Sequence, residues 1–583
     1  MINDQPSTTD RNLWYLGIDL GTTGITAVLL NSSSGQKYPI YWSFLNKQGS
    51  WESNFRLPAV AYYGPEVKEK DKYKEEEGNF SPFVVGTAAY NFQQQAGIFL
   101  ENFKPFLNFA VPYYQTEGSQ WEPKLRGFGS RLVSLHLVQI ALQTLLQTLV
   151  PNSKKEGELA QSSSVLGAVG CEEETLNVAL QDLEGVIVSR PGSWGDTYDF
   201  NLRECILKAD LVTKPEQVFF LEEAIAVLLA NLHEGEKENH LGTTLVIQAG
   251  ATTTELLLGN IPEDLAKLTR QDLALRSFEF GGESLDQDIF CQLLYPYWSK
   301  QQPTFKLETE SFPFAGELEL EKRERLGLTL KSSKVGQSLL EAAKLAKLIL
   351  QYRPELTSTI GNLRWHLKKK DLETKVMQPY VQQINKYLNQ LLSTTGISDQ
   401  LVERVICSGG TTVSIWPVLE QWLKQKLPNA KIIKDTGENS LTRVASGLTY
   451  LVRFPQLVET LQHQYSDYFL LREILRVFPQ QPVSLESLLN SLKLRGVNTD
   501  ACYSRLIGLI EGNLTTGLVP KTSEYSWLSL PSNSKFNLEP LFLIQEDGLY
   551  SPNQEQYLKL KQHLQEVLSG AEQKLEDPLS FNL

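Results

Sequence analysis

Apolar residues fall into short runs separated by small-residue turns through the first half of the chain, and into longer stretches of helical spacing through much of the second. Leu13 to Leu30 reads as a strand, a glycine–threonine turn and a second strand, with a further strand over Leu57 to Tyr63. Arg131 to Val150 carries its leucines and valines at helical spacing and predicts a buried helix. A second strand-rich section opens at Glu184 to Trp194, and helices are predicted over Asp199 to Ala209 and Phe220 to Gly235. Thr243 to Ile261 then repeats the opening pattern of strand, small-residue turn and strand, about two hundred residues later, which predicts a duplicated unit rather than a short-period solenoid. Helices are predicted across Leu285 to Leu392, followed by a strand, glycine turn and helix at Arg404 to Leu423 and mainly helical segments beyond about Phe454. Gly64 to Asn79 and Pro151 to Ser164 are polar enough to read as loops, and residues 1–12 as an arm.

A chain of 583 residues exceeds one ordinary core, so two or more packed units are expected. A net charge of -13 and a pI near 5.2, with no long Lys/Arg run, argue against nucleic acid as the main partner. The start has no basic stretch leading into an apolar run, and no segment reaches the roughly 18 apolar residues of a membrane span, so a cytoplasmic protein without membrane insertion is expected. Cys171, Cys205, Cys291, Cys407 and Cys502 are scattered singly, which suits reduced thiols, and the six histidines lack metal-ligand spacing.

The turns carry the candidate chemistry. Gly and Thr bring backbone N–H groups and small hydroxyls to one point without side-chain bulk, so "DLGTTG" could cradle phosphate, with Asp19 placed to face Mg2+; a plain hairpin capped by its Asp fits the same residues. "GATTTE" (Gly250 to Glu255) could hold the other side of a phosphate tail, and "SGGTT" (Ser408 to Thr412) could lie against a base or ribose. Three such turns on two units would line a nucleotide cleft.

In this order "GIDLGTT", "FLEEAIAVLLANL", "IQAGATTTEL", "FGGESLDQDIF" and "SGGTTVSIWPVLEQWL" resemble the ATPase domain of the heat-shock-70 (DnaK-type) chaperones, within the actin and sugar-kinase superfamily, over about Leu13 to Leu451. The resemblance implies an α/β, two-lobed actin-like fold of duplicated ribonuclease H-like domains over residues 13–453, and the helical pattern beyond Phe454 predicts a mainly helical C-terminal domain over 454–583. The resemblance also implies ATP/ADP and Mg2+ as ligands. Gly21, Thr22 and Thr23 would bind phosphates, Asp19 would organise Mg2+ and water, and Glu223 would join the metal shell. "ENFKPFLN" is similar to the segment holding the family's catalytic lysine, here Lys104. Gly250, Ala251 and Thr252 would form the second phosphate turn, Gly409, Gly410 and Thr411 would cradle adenosine, and Lys347 would reach it from a neighbouring helix.

The departures from the family pattern are specific. Gln248 stands where the family has an aspartate; a neutral amide cannot take a proton from water, so hydrolysis should be slow or lost. Gly250, Ala251 and Thr252 replace a glycine run, Val413 replaces an arginine stacked on adenine, and Gly24 replaces an aromatic residue. Pro191 matches the proline of the family's interdomain switch, but Asp199 takes the place of its arginine, leaving Arg203 as the substitute. After Tyr450 neither the acidic leucine-rich linker nor the peptide-binding strands appear. The resemblance therefore implies a chaperone-like ATP-binding protein with slow or lost hydrolysis, its nucleotide state controlling an unidentified protein partner or client bound through the C-terminal region. The alternative is a pseudo-ATPase scaffold with no useful nucleotide binding.

Overall fold

The structure, a computed structural model, describes residues 13–46, 49–64, 83–111, 124–128, 131–151, 164–234, 242–301, 307–361, 363–436, 438–459, 464–514, 528–529, 539–575, 578–580 and 583. The N-terminal arm, nearly all of the charged Gly64 to Asn79 run and most of the polar stretch after Pro151 lie outside these residues.

The chain is mixed α/β, built around two sheets of matching plan. In the first, β1 (Trp14–Leu20), β2 (Gly24–Asn31), β3 (Gln36–Leu45), β4 (Leu183–Arg190) and β5 (Val218–Glu222) lie in the order β3-β2-β1-β4-β5, with Ser164–Ala168 beyond β3. The β1–β2 and β2–β3 pairs are antiparallel; β1–β4 and β4–β5 are parallel. In the second, β6 (Gly242–Ala249), β7 (Thr254–Ile261), β8 (Leu273–Phe278), β9 (Arg404–Ser408) and β10 (Lys431–Lys434) repeat that order and those directions. The repeated strand–turn–strand pattern of the sequence is thus β1–β2 and β6–β7. Both central strands are apolar almost throughout because helices cover both faces of each sheet.

On the first sheet pack α1 (Leu135–Leu146) and α2 (Asp196–Lys208). A third helix, α3 (Glu223–Glu234), starts directly from the end of β5. The second sheet carries α4 (Gly282–Ile289), α5 (Lys334–Ile349) and the short α6 (Gly410–Ser414) that follows β9. A seventh, α7 (Arg443–Thr449), returns toward α3, and one core joins these two helices with Tyr15, Leu30 and Ile187 of the first sheet and Val246, Leu257 and Ile406 of the second. The sheets therefore sandwich α3 and α7.

That layer depends on glycine. A Cβ on Gly447 would overlap the Ala226 carbonyl oxygen of α3, and one on Gly17 would overlap the Ala445 carbonyl of α7. Neither obstacle is the movable end of a side chain. Gly447→Ala is expected to cost about 3 kcal/mol or more through displaced backbone, read as a lower denaturant midpoint, whereas an unchanged midpoint would mean that the contact yields freely.

Three local expectations need correction. Arg131 to Ser134 is a strand paired with Lys124–Phe128, and the helix begins only at Leu135, where the Ser134 hydroxyl accepts the His136 N–H at 3.1 Å as an N-cap. Phe220 to Glu222 completes the parallel strand β5 instead of opening α3. A hairpin, Glu355–Ile360 with Leu363–Lys368, interrupts the stretch expected to be helical.

The C-terminal region has its own core around α8 (Asp467–Arg476), α9 (Tyr503–Ile510) and α10 (Gln554–Ser569), with a small hairpin at Phe542–Ile544 and Tyr550–Pro552. It docks on α2. The Tyr468 and Thr197 hydroxyls are 3.0 Å apart, Arg505 pairs with Asp196 at 2.8 Å, and the Gln573 amide reaches both Glu204 and the Phe200 carbonyl.

Candidate functional site

Most of the predicted site residues lie at or just after the carboxyl ends of β1, β5, β6 and β9, as expected for crevices beside parallel strands. Asp19 is the penultimate residue of β1; the Ser189 hydroxyl of β4 donates to its Oδ1 at 2.9 Å and accepts the Leu20 N–H at 3.1 Å. Lost hydration and the Glu223 carboxylate push the Asp19 carboxyl up to about 6, against the pull of Lys104 and Arg56.

Lys104 opens a short 3-10 turn behind Phe103 and is buried; its Nζ lies 2.9 Å from Glu223 Oε1. Burial alone would lower the ammonium's pKa, but Glu223, Tyr198 and Asp19 hold it above its ordinary value. The same ammonium sits 5.5 Å from the Trp194 ring centre and 5.9 Å from that of Tyr198. Glu223 occupies the first turn of α3, a position its charge favours.

The two turns expected to bind phosphate face one another. In the first, the Gly21 N–H donates to the Gly24 carbonyl at 3.0 Å, and in the second the Gly250 N–H donates to the Thr253 carbonyl at 2.9 Å. Thr22 and Thr252 meet across the gap with hydroxyl oxygens 2.7 Å apart. Thr23 turns the other way and accepts from Arg56 at 2.5 Å. Arg56 also accounts for Gly24, since a Cβ there would overlap its Nε.

The third turn locks onto the second. Gly409 has φ +95°, and a Cβ there would overlap the Ala249 carbonyl, whereas Gly410 has open space on that side. Thr411 donates to the Gly250 carbonyl at 2.6 Å. Lys347 reaches the same corner, donating to the Gly282 carbonyl at 2.8 Å and pairing with Asp286 at 2.8 Å. Ala251 is tied in through its carbonyl, which accepts the Glu283 N–H at 2.8 Å. Val413 is partly exposed on α6.

Gln248 is buried, stands opposite Glu255 and beside Ser408 in the sheet register, and its amide oxygen has no hydrogen-bond partner. Such an orphaned acceptor is what a site for a polar ligand leaves in a protein's interior. The donor set also bears on a metal ion. Among the described residues no three His, Cys, Asp or Glu side chains are grouped to chelate a metal. Asp19, with Glu223 already committed to Lys104, suits a Mg2+ that keeps its waters and leans on phosphate oxygens.

Sequence reasoning missed Glu255, which is fully buried at the start of β7. Its Oε1 accepts the Gly192 N–H at 2.5 Å and its Oε2 the Ala224 N–H at 2.8 Å, tying the second sheet to the loop after β4 and to α3. Burial, with repulsion from Glu223, pushes its carboxyl up to about 8. The available signal was an acid standing alone ahead of "LLL". Arg203, the expected substitute for the switch arginine, donates to Gln573 of the C-terminal region at 3.1 Å, and Arg190, immediately before Pro191, pairs with Asp199 at 3.0 Å.

No family model matches the chain, and no curated protein matches it. Among the described residues no helix is long and apolar enough to cross a membrane.

Proposed function

We propose that this chain is a divergent heat-shock-70-type protein of two-lobed actin-like fold. It binds Mg2+-ATP between its halves, hydrolyses it slowly or not at all, and relays nucleotide state to a protein partner through the C-terminal helical region. The observation that carries the reading is the meeting of two turns singled out independently in the sequence: Thr22 and Thr252 touch, close to a buried Lys104–Glu223 pair. The duplicated strand order supports the fold assignment.

Bound Mg2+-ATP would supply the phosphoryl group and the metal's electrostatic stabilisation of it. The chain's own residues do the rest. The backbones of the two turns and the Thr22 and Thr252 hydroxyls would bind phosphate oxygens, and Lys104 would place a charge, fixed by Glu223, against them, whereas Thr23, held by Arg56, would contribute backbone only. Asp19, steadied by Ser189, would hold metal-bound water, and Gly409–Thr411 with Lys347 would wall the nucleoside end. Gln248 can orient a water molecule through its amide but cannot take its proton. Its neutrality has a physical rationale: Asp19 and Glu223 already share one lysine, and another carboxylate beside them would add repulsion.

A route outward is present in contacts. Lys104 faces Trp194 and Tyr198, whose rings lie 4.9 Å apart, and α2 continues from there to the Thr197–Tyr468 and Asp196–Arg505 contacts with the C-terminal region. A change at the ammonium is therefore felt by side chains that share a helix with that interface.

The test is to incubate purified protein with Mg2+-ATP, remove free nucleotide and follow the retained ATP and ADP. Retained ATP with little ADP is expected. In Gln248→Asp, conversion is expected to rise about tenfold or more where a general base had been lacking. Protein that emerges empty overturns the reading in favour of a pseudo-ATPase scaffold, which the partly exposed Val413 at the adenosine motif favours.

A further inference from the structure

We propose that the groove between α8 and α10 is a docking site for an acidic, amphipathic helix of a partner protein. The inference rests on the reading that the C-terminal region engages a protein, and it adds the chemistry of that partner. The groove encloses about 620 Å3. Its floor is Leu475, Leu564, Leu568 and Tyr557, the last stacked on Phe478 at 4.5 Å. Its walls carry four cations, Arg472, Arg476, Lys561 and Lys574, and no carboxylate among the described lining residues. On a chain of net charge -13 that concentration of positive charge runs against the whole, so it selects an acidic partner by charge complementarity.

The layout distinguishes a helix from a compact anion. The α10 residues on the groove, from Tyr557 to Leu568, span three turns, about 16 Å of helix axis. The cations are spread along that length rather than gathered at one end. Arg476 lies near the Phe478–Tyr557 end, Lys561 stands one turn further along, and Arg472 marks the far end by donating to the Lys574 and Leu575 carbonyls at 2.8 and 2.7 Å. An amphiphile with one charged head would use one end only. A helix with leucines on one stripe and carboxylates on both flanks would use all of it.

Glu473 pairs with Arg476 at 2.6 Å but also with Arg495 and is itself buried. Lys561 contacts the Tyr557 hydroxyl at 3.1 Å, and Lys574 donates to the Ala571 carbonyl at 2.7 Å, both neutral acceptors.

The test uses the full-length protein without nucleotide, so its outcome is separate from that of the ATP-retention experiment. A fluorescein-labelled synthetic helix carrying leucines at i, i+4 and i+7 between flanking glutamates is titrated with protein and followed by anisotropy. Saturable binding is expected that weakens with salt and falls about tenfold or more in Lys561→Glu/Lys574→Glu, two exposed positions. Thermal melting checks that the variant folds, and Arg476→Gln, expected to bind several-fold more weakly, serves if it does not. Equal binding of a scrambled peptide, or no response to either variant, overturns the proposal. Anionic phospholipid vesicles that bind through Lys561 and Lys574 while the peptide does not would overturn it in favour of a membrane surface.

Discussion

Lys104→Met is expected to abolish ATP retention and to lower stability by about 3–5 kcal/mol, because it removes the buried partner of the Glu223 carboxyl. The two effects have different origins and can be separated. Adding Glu223→Gln removes the orphaned carboxyl, so Lys104→Met/Glu223→Gln is expected to recover most of the lost stability. It should recover no nucleotide, since the ammonium facing the phosphates is still missing. Denaturant midpoints and retained nucleotide, measured on the same three proteins, check both statements. Retained ATP in either variant would assign Lys104 to packing alone, with its contacts to Trp194 and Tyr198 as its purpose.

The turns were legible in the sequence because their signal is local. Glycine and threonine between two apolar runs describe a hairpin whichever strand lies beside it, and the repeat at Thr243 to Ile261 is a property of the text itself. Features fixed by distant partners were not legible in this way. Phe220 to Glu222 has the same apolar character as the helix it precedes, and only its parallel pairing with β4 makes it a strand. Arg131 to Ser134 joins a strand through Lys124–Phe128, so helical spacing ran on past the true start. The hairpin at Glu355–Lys368 pairs Thr357, Ser358 and Thr359 with His366, Trp365 and Arg364, a mixture with weak periodicity of either kind.

The candidate site divides along the same line. Most predicted residues sit on turns, strand ends or helix starts that the sequence marks, yet the contacts that bring them together cross the chain: Thr22 to Thr252, Lys104 to Glu223, Thr411 to Gly250. The Arg190–Asp199 and Arg203–Gln573 contacts are of the same kind, fixed by packing rather than by any local signal.

Glu255→Ala is expected to lower stability by about 2–6 kcal/mol, since the Gly192 and Ala224 N–H groups each lose their acceptor and each donor left unpaired away from water costs about 1–3 kcal/mol. The cost should depend on pH, with a definite sign. A carboxyl raised in the folded protein from 4.5 to about 8 binds its proton more tightly folded than unfolded. Its contribution is therefore complete below the unfolded value and is lost as pH rises through the folded one, a window from about pH 4.5 to about pH 8. Wild type should become less stable across that window. The alanine variant should lose this part of the slope, while the part due to Asp19, raised to about 6, stays in both proteins. Urea midpoints at several pH values give the comparison, and parallel slopes would mean that Glu255 is ionised when folded. Because Gly192 leads through Trp194 into α2, freeing its N–H should also speed amide hydrogen exchange along α2 and at the Asp467–Arg505 contact. Exchange that quickens only around Gly192 would separate the carboxyl's local hydrogen bonds from any role in joining the cleft to the C-terminal region.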